Sequence, residues 1–188
     1  HATGLPRGDL LVVEVALAEL DRLGGRERPT NVVDLGTGSG AIALSIAVER
    51  VRTQVWATDV SPCALEVATA NVAGLGRPGA RVRVLQGEWF AALPEDLRGA
   101  VDLVVSNPPY VATSFELPDE VTRWEPTGAL WAGDDGLDDL RQIVAGAGEW
   151  LTYDGVLVCE LSPEQVPTLQ SLAAQHFAEV RVHPDLSG

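Results

Sequence analysis

VVDLGTGSGAIALSIA, Val32 to Ala47, decides the fold. A β-branched run ends at Leu35. Five residues, Gly36 to Gly40, then alternate glycine with small hydroxyl side chains, and an apolar stretch with helical spacing follows at once. Glycine adopts the left-handed backbone of a tight turn and lets a ligand approach the chain closely. The helix behind such a turn offers free N–H groups at its start. A strand feeding a helix in this way opens a βαβ unit of a parallel α/β layer. By itself the same turn also fits a βα connection that binds nothing.

Outward from this unit the pattern repeats. Further β-branched runs stand at 54–60 (QVWATDV), 81–87 (RVRVLQG), 101–107 (VDLVVSN) and 155–161 (GVLVCEL), with the first strand at 31–35 and a weaker sixth at 179–183 (EVRVH). Helical segments lie between them. Asp9 is positioned to cap DLLVVEVALAELDRL, and Gly40 opens AIALSIAVERV. Ser61-Pro62 gives an N-cap followed by proline at the first helical position, and Asp135 or Gly136 precedes LDDLRQIVAGAGEWL. Ser162-Pro163 repeats the Ser-Pro start, with Pro167 placing the true helical start later. Alternation of this kind predicts a Rossmann-like, doubly wound, mostly parallel α/β sheet covered on both faces. Residues 1–188 are read as one domain. Ligands of such sheets bind at the carboxyl ends of the strands, and Gly36, Asp59, Glu88 and Asn107 all follow strand ends. The stretch from Pro108 to Gly136 lacks regular periodicity, and its length suits a binding or lid element.

Gly36, Gly38 and Ala41 fit G-x-G-x-x-A, and Asp59 stands where a carboxylate would meet a ribose. This pairing indicates an adenosine-type cofactor without deciding which one. Asp34, two residues before the first glycine, leans away from a dinucleotide, because a pyrophosphate does not suit an adjacent negative charge. It suits the ammonium and sulfonium of S-adenosyl-L-methionine, and could also bond the amides of the glycine turn. Thr37 and Ser39 complete the turn. Ser61 already serves the helix start, which leaves Asp59 for the ribose. After the third strand, Trp89 offers a flat apolar face to an adenine ring and Glu88 a reader of its amine, although tryptophan is often plain core.

Asn107-Pro108-Pro109-Tyr110 ends the fourth strand. Two prolines stop the ladder and fix the chain in one path, which a rigid turn would explain. The amide and the aromatic ring beside them need another reason. A planar amide or amino nitrogen has a delocalised, weakly nucleophilic lone pair. Two acceptors, the Asn107 side-chain oxygen and the Pro108 carbonyl, could hold its hydrogens and turn the lone pair toward a methyl donor. Tyr110 would stack on the flat group. Such catalysis rests on positioning and electrostatics more than on a strong base.

Composition narrows the classes. The formal net charge is −14, and all 13 basic residues are arginine. Scattered arginines form no patch for phosphates, and the loop beyond Tyr110 is acidic, which weighs against nucleic acid. Without lysine there is neither a Walker lysine nor a Schiff base. Cys63 and Cys159 are far apart and are read as small buried hydrophobes in a reducing compartment. Three histidines, His1, His176 and His183, show no metal-ligand spacing, so no metal is expected. No apolar run approaches the ~20 residues that span a bilayer, and a soluble, cytoplasmic protein without membrane contact is expected. The oligomeric state is not indicated. The chain opens on His1 and is read as a piece of a longer protein.

Taken together, DLGTGSGAIALSIA, TDVSPCALEVATANV, GEWF, SNPPYV, Glu125-Pro126, ALWAGDDGLDDLRQI and the Glu160/Gln165 pair resemble the protein-glutamine methyltransferases that modify peptide chain release factors. The glycine turn is common to many methyltransferases, and the Asn-Pro-Pro-Tyr tetrad is shared with enzymes acting on base amines. The combination is more specific. The resemblance implies a class I fold in which Gly36 to Gly40, Asp59 and Trp89 contact S-adenosyl-L-methionine. Asn107 to Tyr110 would then hold a glutamine amide from the Gly-Gly-Gln motif of a release factor, with Asn107 close to the cofactor as well. The family's Pro-Arg-x-Glu-Thr-Glu element reads Pro6-Arg7-Gly8-Asp9-Leu10-Leu11 here, without the Thr-Glu pair. An N-terminal helical domain that grips the release factor is expected outside this chain, as is a last strand after residues 185–188. The alternatives are methylation of an exocyclic amine in RNA or DNA, a nicotinamide (NAD-dependent) oxidoreductase, and a non-catalytic binding domain that keeps the pocket.

Overall fold

The computed structural model describes residues 7–108 and 136–184. Pro109, Tyr110, Glu125-Pro126 and most of the aperiodic stretch therefore lie outside the described residues. The chain divides into two compact units, 1–107 with 147–160, and 108–146 with 161–188.

Five strands form in the first unit: β1 (Thr30–Leu35), β2 (Thr53–Asp59), β3 (Val82–Gln86), β4 (Val101–Ser106) and β5 (Leu151–Cys159). They make one sheet of order β3-β2-β1-β4-β5, and every neighbouring pair is parallel. Every residue of β4 is buried, as is all of β1 except Asn31. Burial on both faces explains why these central strands read as continuous apolar runs and not as alternating ones. The order reverses direction between β1 and β4, which makes their carboxyl ends the switch point where such sheets bind ligands.

Three helices of this unit are α1 (Arg7–Arg22), α2 (Ala41–Glu49) and α3 (Pro62–Gly74). Val12, Val13, Ala16 and Leu20 of α1 pack with Ile42, Ala43, Ile46 and Ala47 of α2 over Val32, Val55, Leu103 and Val105 of the sheet. Ser61 caps α3 by accepting from the Ala64 N–H at 3.3 Å, with Pro62 opening the helix. Arg50 is buried after α2 and donates to both oxygens of Asp21 at 2.8 and 3.0 Å, which locks α1 to α2.

Two further helices are α4 (Asp138–Trp150) and α5 (Val166–Ala173). In the second unit a 3-10 turn at Pro163–Gln165 precedes α5, with a capping box between Ser162 and Gln165. Gln165 donates onward to the Gly136 carbonyl at 2.9 Å. Pro167 falls in the first turn of α5, as the sequence anticipated.

Four readings change. The first helix begins at Arg7, so Asp9 lies inside its first turn and does not precede it. The fifth strand begins at Leu151, not Gly155, because Thr152–Gly155 bulge out between the pairs Val101–Leu151 and Leu103–Val156 and leave Tyr153 fully exposed. The run at 179–183 forms no strand; it has no ladder partner among the described residues, and Arg181 pairs locally with Glu179 at 2.7 Å. Cys63 is exposed on α3, whereas Cys159 is half-buried, its thiol pushed by burial up to about 12. No helix among the described residues is long and apolar enough to cross a membrane.

Ile46 is fully buried between α1 and the sheet, whereas Val51, just beyond α2, is 72% exposed. Ile46→Ala should cost about 2–5 kcal/mol and Val51→Ala less than about 0.5 kcal/mol in urea unfolding. Equal losses at the two sites would contradict this packing.

Candidate active site

The carboxyl ends of β1, β2, β3 and β4 are joined by hydrogen bonds that build one rim. The Thr37 N–H donates to the Thr58 carbonyl at 2.9 Å, and the Gly87 N–H donates to the Asp59 carbonyl at 3.0 Å. The Ser106 hydroxyl donates to the Leu35 carbonyl at 2.8 Å. Leu35 pairs with Ser106 in the sheet, so Gly36 and Asn107 leave neighbouring strands at the same level.

Gly36, Gly38 and Gly40 all take left-handed backbone, with φ of 68, 56 and 83°. It is this backbone, and not crowding by neighbours, that favours glycine here. A Cβ on Gly36 would stand 3.4 Å from the Trp89 ring, while a Cβ on Gly38 would point into space free of protein atoms within 4 Å. The turn thus presents bare backbone toward an open recess, as a ligand lying along it requires. Thr37 is turned inward and Ser39 faces solvent, its carbonyl held by the Asn71 amide at 2.9 Å.

Asp59 braces the turn from the next strand. Its Oδ2 accepts from the Gly38 N–H at 2.9 Å and its Oδ1 from the Ser61 N–H at 2.8 Å. The carboxylate stays half-exposed, and each oxygen keeps a lone pair for a further donor. A vicinal diol supplies two such donors.

Asp34 is placed differently from a ligand-facing residue. It is 1% exposed, and its Oδ2 accepts from the Thr37 hydroxyl at 2.6 Å and the Ala43 N–H at 3.1 Å. Its Oδ1 is buried without a partner among the described residues. Asp34 therefore ties the glycine turn to the start of α2 from beneath. Burial pushes its carboxyl up to about 6; Thr37 and Ala43 oppose the rise, and the charges of Asp9 and Asp59 add to it. Three carboxylates around one turn favour a cationic ligand over a pyrophosphate.

Trp89 lies at the same rim, as expected. Its ring lies against Gly36, and its backbone is left-handed at φ 44°, a costly conformation for a bulky residue. The Thr58 hydroxyl donates to its carbonyl at 3.2 Å, and its indole N–H is buried without a partner among the described residues. Here the ring forms a wall of the glycine turn. Glu88, one residue earlier, is exposed at the rim.

Asn107 is half-buried at the end of β4. Its Nδ2 donates to Asp9 Oδ1 at 2.9 Å, a contact the sequence did not announce across 98 positions. Among the described residues nothing donates to its Oδ1. Pro108 follows and is buried.

Because the carboxyl of Asp34 titrates higher when folded than the ordinary 3.8, its contribution to stability is fully present below pH 3.8 and lost as pH rises through about 6. Asp34→Asn removes that loss. The stability of Asp34→Asn relative to wild type should therefore rise by on the order of 2 kcal/mol between pH 4 and pH 7 in urea unfolding. A pH-independent difference would contradict the buried, protonatable carboxyl.

Comparison with known proteins follows this geometry. The methyltransferase small domain model matches residues 14–123. The chain is 42% identical over 180 residues to the release factor glutamine methyltransferase of Cereibacter sphaeroides, which covers 94% of this chain and 60% of that protein. It is 43% identical over 189 residues to the protein of the same name from Burkholderia pseudomallei, covering 97% and 64%. The chain thus spans less than two thirds of the length of these relatives. The crystal structure of ribosomal protein L11 methylase from Lactobacillus delbrueckii superposes with a TM-score of 0.60 at 20% identity, over 88% of this chain and 68% of that one, and shows the shared fold. The family model matches more than half of the chain, and the chain belongs to the methyltransferase small domain family.

Proposed function

We propose that this protein transfers a methyl group from S-adenosyl-L-methionine to the side-chain amide nitrogen of a glutamine in the Gly-Gly-Gln segment of a peptide chain release factor. The observation that carries this reading is the juxtaposition at the switch point. An acceptor oxygen, Asn107 Oδ1, leaves β4 beside the bare glycine turn that leaves β1. The identity to release factor glutamine methyltransferases over more than nine tenths of the chain supports the substrate class. The site's carboxylates support a cationic donor and speak against the nicotinamide reading.

The donor's chemistry is a methyl group made electrophilic by its bond to a sulfonium. The residues supply everything around it. Gly36 to Gly40 give the backbone cradle, Asp59 two acceptors for the ribose hydroxyls, and Trp89 the wall that limits where the ligand can lie. Asp34 keeps the cradle in shape from below. Asn107 Oδ1, with the Pro108 carbonyl as second acceptor, holds the hydrogens of the glutamine amide so that its nitrogen lone pair faces the methyl carbon. Pro109 and Tyr110, which complete the tetrad in the sequence, would stiffen the clamp and stack on the flat amide. As the carbon–nitrogen bond forms, the methyl carbon would part from sulfur, whose electron pair leaves with S-adenosylhomocysteine, and the nitrogen would give up one hydrogen as a proton to solvent, a loss that acceptors already bonded to it ease. No strong base is required. The partner is the release factor, and the work belongs in the cytoplasm, where translation terminates.

The test is mass spectrometry of release factors incubated with the full protein and the donor. One added methyl on the Gly-Gly-Gln glutamine is expected; methyl incorporation into RNA or DNA alone would overturn the reading. Asn107→Ala should lower turnover by ~10²–10⁴-fold while the dissociation constant of S-adenosylhomocysteine changes little. Wild-type turnover in that variant would contradict the role given to the amide.

A further inference from the structure

An asparagine that accepts from a substrate N–H₂ must present its oxygen and not its nitrogen. The two ends of the side-chain amide are nearly the same size, so shape alone does not choose between them. Presented the wrong way round, the amide sets its own N–H₂ against the substrate's and loses the contact altogether. Something must hold the nitrogen end.

The structure assigns that task to Asp9: we propose that it is the positioning residue that fixes the flip of the Asn107 amide. Its Oδ1 takes the Asn107 Nδ2 at 2.9 Å, and a carboxylate can only accept, so the contact tolerates one orientation of the amide. Oδ1 of Asn107 is then the end left for substrate. Asp9 belongs to the first turn of α1, on the same face as the buried Val12, Val13, Ala16 and Leu20, which follow it at i+3, i+4, i+7 and i+11 and anchor the helix. The carboxylate therefore comes from a packed element and not from a loose end. A merely structural role, an acid in the first turn of a helix, is the competing account. It gives Asp9 no reason to point at the one amide that the chemistry uses. This inference rests on the functional reading above, and it adds a residue that the acceptor geometry needs.

Three variants of the full protein separate the two accounts, with wild type run in parallel on a release factor. Asp9→Ala removes the acceptor, and Asp9→Ser draws it back by one bond, to the place of the Asp9 carboxyl carbon and out of reach of the Asn107 amide. Both should lower kcat on the order of 10²-fold, with the S-adenosylhomocysteine dissociation constant within about threefold of wild type. Asp9→Asn can still accept through its own oxygen and should stay within about tenfold of wild-type kcat. Wild-type kcat in Asp9→Ser, or Asp9→Asn as impaired as Asp9→Ala, would overturn the proposal. Should wild type itself fail to methylate a release factor, the functional reading falls, and the flip is then read without any substrate by nuclear magnetic resonance. The Asn107 side-chain N–H₂ should exchange with solvent several-fold faster in Asp9→Ala than in wild type, and equal exchange would refute the contact.

Discussion

Asp59 holds two segments of chain with one carboxylate: Oδ2 takes the Gly38 N–H at 2.9 Å and Oδ1 takes the Ser61 N–H at 2.8 Å. Through the first bond it sets the middle of the glycine turn, and through the second it sets the entry to α3. The turn is thereby fixed to β2 as well as to β1, where it begins. Hydrogen bonds to a charged acceptor are individually worth about 1.5–3 kcal/mol, enough to keep a glycine-rich loop from exploring other conformations. The open backbone at Gly38 is held in place for that reason.

Around this bond the rim is assembled from both sides of the sheet's switch point. Asp34 closes the turn from below and Trp89 leans on Gly36 from the β3 side. Asn107 arrives from β4 with its nitrogen already committed to Asp9. The proposed donor and acceptor subsites thus draw on adjacent strands of one layer, and the spacing of Gly36 and Asn107 is set by a strand register. A reaction whose main demand is alignment of a weak nucleophile suits such a frame. The concentration of carboxylates serves the same end, since a cationic donor is the ligand that such surroundings favour.

How much of this was legible in the sequence differs from element to element. The first four strands, the glycine turn and the Ser61-Pro62 helix start are local signals found where their residues point, whereas the fifth strand starts four residues before its β-branched run. Asp34 was legible as an acid near the glycines but not as a buried brace, because its inward turn depends on Thr37 and Ala43 folding over it. Trp89 was legible as a rim residue; its left-handed backbone and its contact with Gly36 are tertiary facts without a local signature. The run at 179–183 had strand composition, but propensity makes no strand where no partner offers a ladder. Asp9 is the clearest miss. An acid at a helix start reads as a cap, and nothing within its own segment points to an amide 98 residues away.

The central claim, that the Asp59-braced turn is a preformed seat for the ribose of a sulfonium donor, is tested most directly by calorimetric titration with S-adenosylhomocysteine and its 2′-deoxy and 3′-deoxy analogues. Against wild type each missing hydroxyl should weaken binding by ~10–100-fold, the equivalent of one hydrogen bond to a charged group. Against Asp59→Ala the three ligands should bind alike, because the acceptor that told them apart is gone. Undiminished discrimination in that variant would show that the ribose is read elsewhere and would contradict the account.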